Sequence, residues 1–133
     1  MRVLVTGSEG YVGSVLVPLL RHRGHEVRCL DAGYFAGCDL ADAIAPRDFI
    51  LGDVRDVQAE LFESIDVVIH LAGLSNDPLC DLDPQLTYDV NVGGTERVAR
   101  AARDAGVRHF VFASSCSIYG PGDNDTELTE SDP

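Results

Sequence analysis

Three glycines at intervals of three residues, Gly7, Gly10 and Gly13, follow a short β-branched run and precede apolar positions at helical spacing. This order predicts a strand, a tight turn and a helix. Gly7 lets the chain reverse, Gly10 lets the backbone approach a bound phosphate, and Gly13 lets the helix pack closely on the strand. The first amide N–H groups of the helix, those of Tyr11 and Val12, are donors for phosphate oxygens. The turn therefore predicts a pyrophosphate site of the dinucleotide-binding type.

A carboxylate follows the second predicted strand. It is Asp31, 18 residues after Gly13. At that position a carboxylate accepts hydrogen bonds from the ribose hydroxyls of NAD and repels the 2′-phosphate of NADP. The next residue is Ala32 rather than an arginine, so no cation offsets the repulsion. We therefore expect NAD as the cofactor; the alternative is that Asp31 only shapes the turn before Gly33.

The elements that position these residues alternate between strand and helix patterns, which predicts a doubly wound parallel sheet, the α/β Rossmann fold. Strands are predicted over residues 2–6, 26–30, 49–51, 67–69 and 109–113, and helices after the glycine turn and over 57–62 and 84–105. Asp83 and Pro84 are suited to begin the long helix, and Gly106 to end it. The pattern fails over residues 33–47, where we expect a mobile loop beside the cofactor.

Composition limits the class of protein. With 133 residues and 45% hydrophobic content, the chain is expected to form one domain, placed at 1–120, followed by an acidic loop or tail at 121–133. The net charge of −12 disfavours nucleic acid as a partner. No stretch has the pattern of a membrane span or a signal peptide, and the four cysteines lack metal-site spacing. We therefore expect a cytoplasmic protein with reduced thiols and no metal site.

Six segments in order give the chain a resemblance to a known family. They are the glycine turn at residues 6–13, Asp31, Gly52-Asp53-Val54-Arg55-Asp56, His70-Leu71-Ala72-Gly73, Asn91-Val92-Gly93-Gly94-Thr95 and Ser114-Ser115-Cys116-Ser117-Ile118-Tyr119-Gly120. Together they resemble the N-terminal, cofactor-binding part of the extended short-chain dehydrogenases/reductases, in particular the NAD-dependent epimerase/dehydratase family. That family acts mostly on nucleotide sugars, so the resemblance implies a small-molecule substrate of this kind.

The resemblance also implies contacts along the cofactor. Asp53 would accept a hydrogen bond from the adenine amino group, and the N–H of Val54 would reach a ring nitrogen. The alternative for Asp53 is a helix N-cap. Leu71, Ala72 and Gly73 follow the fourth strand at the carboxyl edge of the sheet, where small residues let the backbone run close to the cofactor.

Two further polar positions lie near the fourth strand and the long helix. The resemblance implies that Asn91 helps to order the cofactor and the active site, and the alternative is a side chain that faces solvent. His70 is assigned no role, because a histidine at the end of a strand is more often buried and structural than catalytic. The turn cluster at residues 76–79 is a candidate border of the substrate site.

Two serines after the fifth strand are the candidates nearest to catalysis. The resemblance implies that Ser115 is the catalytic serine, which hydrogen-bonds the reacting hydroxyl or carbonyl, and that Ser114 contributes backbone near the nicotinamide. The alternative is that their hydroxyls only cap a turn at the strand end. The family also uses a Tyr-x-x-x-Lys motif, in which the lysine lowers the pKa of an acid/base tyrosine.

No lysine is present anywhere in the chain. Family spacing places Tyr-x-x-x-Lys just past residue 133, so we expect the sequence to stop before the catalytic helix and the substrate lobe. NAD binding without turnover is the expected behaviour. The alternatives are a non-catalytic NAD-sensing module and an alcohol- or steroid-type dehydrogenase of the same fold.

Association is the last expectation from sequence. Members of the family dimerise through the long helix and the helix that carries Tyr-x-x-x-Lys. With only the first of these present, we expect a monomer or a weak dimer, in which Val92, Val98 and Ala102 form a partly exposed apolar stripe.

Overall fold

One parallel sheet organises the chain. The computed structural model describes residues 1–35, 48–75, 82–115 and 129, so residues 36–47, the cluster at 76–79 and nearly all of the acidic tail lie outside it. Within the described residues the strands are β1 (Arg2–Thr6), β2 (Glu26–Asp31), β3 (Phe49–Leu51), β4 (Val67–His70) and β5 (His109–Phe112). Their order is β3-β2-β1-β4-β5, and every pairing is parallel. The chain therefore turns back across the sheet between β1 and β4, which confirms the predicted doubly wound Rossmann fold.

The strand predictions are confirmed with small shifts at the ends. β1 and β3 have the predicted bounds, and β5 ends at Phe112 instead of residue 113. β2 and β4 each continue for one more residue, to Asp31 and His70. These two additions place a carboxylate and an imidazole at the carboxyl ends of adjacent parts of the sheet, on either side of β1.

Each face of the sheet has its own apolar core. Along β1, Val3 and Val5 belong to one core and Leu4 to the other, because successive side chains in a strand alternate between faces. Helix α1 (Tyr11–His22) covers the first face through Val17. The surface of α1 that bears Val12, Val15 and Leu19, whose spacing predicted this helix, is exposed.

The predicted helix over 57–62 is wrong. Two 3₁₀ turns, η1 (Val54–Asp56) and η2 (Ala59–Phe62), take its place, and Val57 between them is extended. A six-residue segment is too short to form a stable α-helix by itself. Burial of Leu61 and Phe62 in the second core instead fixes the tight turns against the sheet.

The long helix begins at Pro84 as predicted and ends at Asp104, one residue before the predicted end, and its hydrogen-bond pattern is mixed. It consists of α2 (Pro84–Tyr88), a π-helical segment (Asp89–Gly94) and α3 (Thr95–Asp104). Asp83 caps α2 by accepting from the N–H of Leu86 at 2.9 Å. Two adjacent glycines at the end of the π segment weaken the preference for α-helix. A Cβ on the second, Gly94, would lie 2.7 Å from Val54 Cγ2, so close packing requires glycine there.

The expectation of an exposed stripe on this helix is wrong in two of three positions. Val98 and Ala102 are buried in the second core, to which Val68 of β4 also belongs, whereas Val92 is 40% exposed. The outer face of α3 carries charged residues, namely Glu96, Arg97, Arg100 and Arg103. The period of 3.6 residues therefore turns the apolar positions of α3 toward the sheet.

Candidate nucleotide-binding site

The glycine turn leaves β1 with a backbone that only glycine accommodates. Gly7 has φ +72° and donates its N–H to Leu30 O at 2.9 Å. A Cβ on Gly7 would lie 2.7 Å from Ala72 N, so the turn is in close contact with the backbone after β4. A Cβ on Gly13 would lie 2.3 Å from Gly7 O. The atoms nearest to Gly13 are therefore backbone atoms of the turn that leaves β1.

Gly10 differs from the other two glycines because the fold leaves room for a side chain there. It has φ −70° and ψ 173°, and the nearest atom to an added Cβ would be Gly7 O at 3.4 Å. Ser14 N donates to Gly10 O at 2.9 Å, which is the first bond of α1. The N–H groups of Tyr11 and Val12 precede that bond and lie at the positive end of the helix. Their position suits an anion held at this helix end.

Asp31 joins the glycine turn to the turn after β2. Its carboxylate is 8% exposed and accepts from Glu9 N at 2.9 Å through Oδ2 and from Gly33 N at 2.8 Å through Oδ1. The turn-shaping role is therefore present in the structure. Each carboxylate oxygen has a second lone pair, so these two bonds leave acceptor capacity for ribose hydroxyls.

Asp53 caps the η1 turn and pairs with an arginine. Its carboxylate accepts from the backbone N of Arg55 at 2.8 Å and from the Arg55 guanidinium at 2.7 and 3.0 Å. The hydrogen bond from the Arg55 side chain holds the pKa of Asp53 below its usual value. Asp53 therefore is the N-cap of η1, as the alternative stated, and its carboxylate is ionised and able to accept further hydrogen bonds. Val54 beside it is buried against Gly94.

Asn91 faces inward, so the solvent-facing alternative is wrong. Its Oδ1 accepts from Leu74 N at 2.7 Å, and its Nδ2 donates to Leu74 O at 2.8 Å. A Cβ on Gly73 would lie 3.3 Å from Asn91 Oδ1. The π segment thus holds the backbone after β4 in place through a single side chain.

These pieces meet in one cleft at the carboxyl edge of the sheet. Eight of the predicted site residues line it: Gly7, Gly10, Asp31, Asp53, Val54, Leu71, Ala72 and Gly73. The sequence prediction missed the other lining residues, which are Leu30, Ala32, Tyr34, Phe35, Gly52, Leu74 and Val90. Several of them immediately follow a strand or a predicted site residue. Because open α/β sheets bind ligands at the carboxyl ends of their strands, that position in the sequence could have predicted them as lining residues. Since no described lining residue is basic, a bound phosphate would depend on backbone N–H groups.

The remaining predicted residues lie outside the described lining of the cleft. Tyr11, Val12 and Gly13 begin α1, and Asn91 acts through Leu74. Ser114 and Ser115 follow β5 and are exposed. Ala113 N donates to His70 O at 3.1 Å, which places the start of this segment at the end of β4.

His70 lies beneath the cleft, with an exposure of 0%. Its ring centroid is 6.0 Å from those of both Phe110 and Phe112 on β5. Burial lowers the pKa of His70 from 6.5 to about 4. The imidazole is therefore neutral at ordinary pH. Its burial at the end of β4 agrees with the expectation of a buried strand-end histidine.

Stability should depend on pH through this residue. Because the folded pKa is below the unfolded value, unfolding takes up a proton, and stability falls as the pH drops from 6.5 toward 4. From His70 we expect a loss of about 2 kcal/mol in unfolding free energy between about pH 7.5 and about pH 5. Urea unfolding of the natural chain and of His70→Asn at both pH values measures it. The loss should be about 2 kcal/mol smaller in the variant, and equal losses would contradict the prediction.

Metal-binding and membrane-spanning features were also sought in the described ranges. Residues 1–35, 48–75, 82–115 and 129 contain no group of three His, Cys, Asp or Glu side chains arranged to hold a metal ion. None of the helices in those ranges combines the length and the apolar character that crossing a membrane requires.

The fold and the cleft define a nucleotide-binding domain of the Rossmann class. The sequence model of the NAD dependent epimerase/dehydratase family matches residues 3–133. The chain belongs to this family, which is NAD dependent, and covers its N-terminal part.

Relatives of the chain include both sugar and steroid enzymes. A UDP-glucose 4-epimerase of Klebsiella pneumoniae is 40% identical over 134 residues, which covers 90% of this chain and 93% of the relative. A 3 beta-hydroxysteroid dehydrogenase/Delta 5-->4-isomerase of Mycobacterium tuberculosis is 38% identical over 129 residues, or 92% of this chain and 34% of the relative.

A solved structure agrees with this fold. The Thermus thermophilus UDP-glucose 4-epimerase in complex with NAD superposes with a TM-score of 0.86 at 34% identity, covering 100% of this chain and 44% of that one. The chain therefore spans less than half the length of this structure and of the steroid relative.

Proposed function

We propose that this chain is the NAD-binding part of a nucleotide-sugar epimerase, dehydratase or reductase. The observation that carries the proposal is the cleft itself. It brings the glycine turn, Asp31, Asp53 and the backbone of residues 71–73 to one edge of the sheet. This edge, at the point where the chain reverses across the sheet, is where open α/β sheets bind ligands.

The phosphate end of the proposed site relies on backbone. The N–H groups of Tyr11 and Val12 would donate to the pyrophosphate, and Gly10 leaves the space for its approach. Gly13 keeps the first turn of α1 tight against Gly7 O. NAD, when bound, supplies the nicotinamide that accepts and returns a hydride.

The adenosine end relies on two acids and two aromatic rings. Asp31 would accept the ribose hydroxyls, and Asp53 with the Val54 N–H would bind the adenine edge. Tyr34 and Phe35 line the same cleft and are 67% and 59% exposed. A planar base that covers these rings would bury much of this apolar surface. The Arg55 pair supports this assignment because it keeps the Asp53 carboxylate charged and oriented.

The catalytic end is proposed from the residues after β4 and β5. Asn91 orders the backbone of Leu74, and Leu71, Ala72 and Gly73 would run along the cofactor. Ser114 would contribute backbone near the nicotinamide, and Ser115 would hydrogen-bond the reacting hydroxyl or carbonyl of the substrate. The relatives named for UDP-glucose support a nucleotide sugar as that substrate.

Cellular location and association complete the proposal. A cytoplasmic location is supported by the free thiol of buried Cys29, because the cytoplasm keeps thiols reduced. A monomer or weak dimer is supported by the charged outer face of α3. Nucleic acid is not proposed as a partner, because the net charge is −12.

The two alternative functions share the cofactor and differ in the use made of it after binding. A steroid-type dehydrogenase is supported only by relatives such as the Mycobacterium tuberculosis enzyme. A non-catalytic NAD sensor agrees with the absence of lysine in the chain. A measurement of NAD binding therefore tests what the proposed function and both alternatives have in common.

Cofactor choice is the first test. Because Asp31 would face a 2′-phosphate and its neighbour Ala32 offers no compensating charge, NAD should bind at least about tenfold tighter than NADP, or about 1.4 kcal/mol. Isothermal titration of the chain with each cofactor measures the ratio. Asp31→Asn should reduce it, and Asp104→Asn, a change to an exposed acid at the end of α3, should leave it unchanged. Equal affinities in the natural chain would show that Asp31 does not bind the ribose.

A further inference from the structure

His70 connects two threonines from different parts of the fold. Its Nδ1 is 2.7 Å from Thr6 Oγ1, and its Nε2 is 2.9 Å from Thr95 Oγ1. Thr6 ends β1, and Thr95 begins α3. Thr6 and His70 are both 0% exposed, so water does not compete for the bond between them.

The contacts of Thr6 give this chain of hydrogen bonds a direction. Thr6 Oγ1 also accepts from Ala72 N at 3.5 Å, so its own proton is available for His70 Nδ1. In a neutral imidazole the ring proton is then on Nε2 and is donated to Thr95 Oγ1. If the ring proton were instead on Nδ1, both His70 and Ala72 N would donate to Thr6 Oγ1. The Thr6 hydroxyl would then have no acceptor among its described partners, which is rare for a buried polar group.

Each end of the chain of hydrogen bonds lies next to a glycine that is in close contact with a residue of the cleft lining. Thr6 precedes Gly7, which is in close contact with the backbone of Ala72. Thr95 follows Gly94, which packs against Val54 at the proposed adenine end. The same π segment carries Asn91 and so holds the loop after β4. A shift at Thr95 would therefore be passed to two residues of the cleft lining, Val54 through Gly94 and Leu74 through Asn91.

We infer that His70 is a positioning residue of the NAD site, which holds the glycine turn and the π segment at a fixed separation through its neutral Nε2–H form. This rests on the proposed function, since the ligand is NAD. His70 itself lies below the cleft and is not among its described lining residues. Its effect on binding passes through Thr6 and Thr95.

Thr95 offers the mildest variant with which to test this. Thr95→Val removes the hydroxyl but keeps the shape of the side chain, whereas Thr95→Ser keeps the hydroxyl and removes only the methyl group. Thr87→Val is a matched control, because Thr87 Oγ1 donates to Asp83 O at 3.0 Å on the exposed helix α2. NAD affinity, measured by isothermal titration, should fall about tenfold in Thr95→Val, stay within about twofold in Thr95→Ser, and remain unchanged in Thr87→Val. Thermal unfolding of each protein establishes that it is folded.

Nuclear magnetic resonance supplies a second measurement that a purely structural role would not change. Long-range ¹H–¹⁵N spectra should show the Nε2–H tautomer of His70, and addition of NAD should shift its Nε2 signal in the natural chain. The same addition should leave that signal unmoved in Thr95→Val. An Nδ1–H tautomer, or full NAD affinity in Thr95→Val, would overturn the role of His70 alone. A natural chain that binds no NAD would overturn this role and the proposed function together.

Discussion

Gly10→Val is expected to lower NAD affinity by about a hundredfold or more while the chain remains folded. The backbone at Gly10, with φ −70° and ψ 173°, is one that valine adopts readily. Its Cβ would be at van der Waals distance from Gly7 O, 3.4 Å away. The cost therefore falls on the ligand, because the side chain fills the space that the pyrophosphate would approach. A hundredfold loss corresponds to about 2.8 kcal/mol.

Gly13→Ala, although it adds a smaller side chain, is expected to destabilise the fold rather than to block the ligand. Its Cβ would lie 2.3 Å from Gly7 O and 2.6 Å from Ser8 O, and both are backbone atoms that cannot move without opening the turn. Overpacking of this kind costs about 1–3 kcal/mol and occasionally more. We expect a lower unfolding midpoint, with the loss of binding following from the loss of the turn.

Gly93→Ala is the control for both variants. An added Cβ there meets no atom within 4 Å, so both affinity and stability should be kept. Circular dichroism and isothermal titration on the same samples separate the three cases. Normal NAD affinity in a folded Gly10→Val protein would place the pyrophosphate somewhere other than at the glycine turn.

Local sequence patterns were sufficient to predict the parts of this fold whose conformation is set by residues close together in the sequence. β1 and β3 have the predicted bounds, because short apolar runs between turns have few other solutions in an α/β chain. The glycine turn was predictable for the same reason, since its spacing, its strand and its helix are contiguous. Asp31 was found by counting from that turn.

Features that depend on contacts across the fold were not predictable. The inward orientation of Asn91 is set by Leu74, which is 17 residues away. Gly94, at the end of the π segment, is in close contact with Val54, which is 40 residues earlier in the chain. His70 could be predicted as buried, but its two threonine partners are brought to it by the pairing of β1 with β4 and by the packing of α3.

The 3₁₀ turns after β3 show how a correct pattern gave the wrong element. Apolar residues such as Leu61 and Phe62 do face the core, as the helical spacing required. The segment is nevertheless too short to offset the entropy of starting an α-helix, so tertiary packing selects tighter turns. The pattern of a short amphipathic segment therefore predicts which side chains are buried more reliably than it predicts the backbone conformation.

Supplied with NAD and a nucleotide sugar, the 133-residue chain is expected to bind the cofactor and to show no detectable turnover. The chemistry of the family, as the resemblance implies, needs a tyrosine whose pKa is lowered by the lysine four residues later. The chain has four tyrosines and no lysine. The charge of that lysine is what makes a phenol an effective base at neutral pH.

The size of the expected loss depends on two separate contributions. General acid/base help contributes about 10²–10⁴ in rate, and the orientation of bound reactants can contribute more. Ser115 alone can hydrogen-bond a reacting oxygen but cannot accept and return its proton near neutral pH. Cofactor binding should persist, because every proposed contact up to the nicotinamide end uses residues before Ser114.

The test uses one preparation for both properties. Isothermal titration first establishes NAD binding, and the same sample is then incubated with UDP-glucose and other nucleotide sugars while NADH absorbance and product masses are followed. Binding without product is the expected result. Robust turnover would mean that these residues contain a different acid/base pair, in which Ser115 and Tyr119 are the first candidates. In that case Ser115→Ala and Tyr119→Phe should each abolish the turnover without changing NAD affinity, because neither side chain contributes to the proposed phosphate, ribose or adenine contacts.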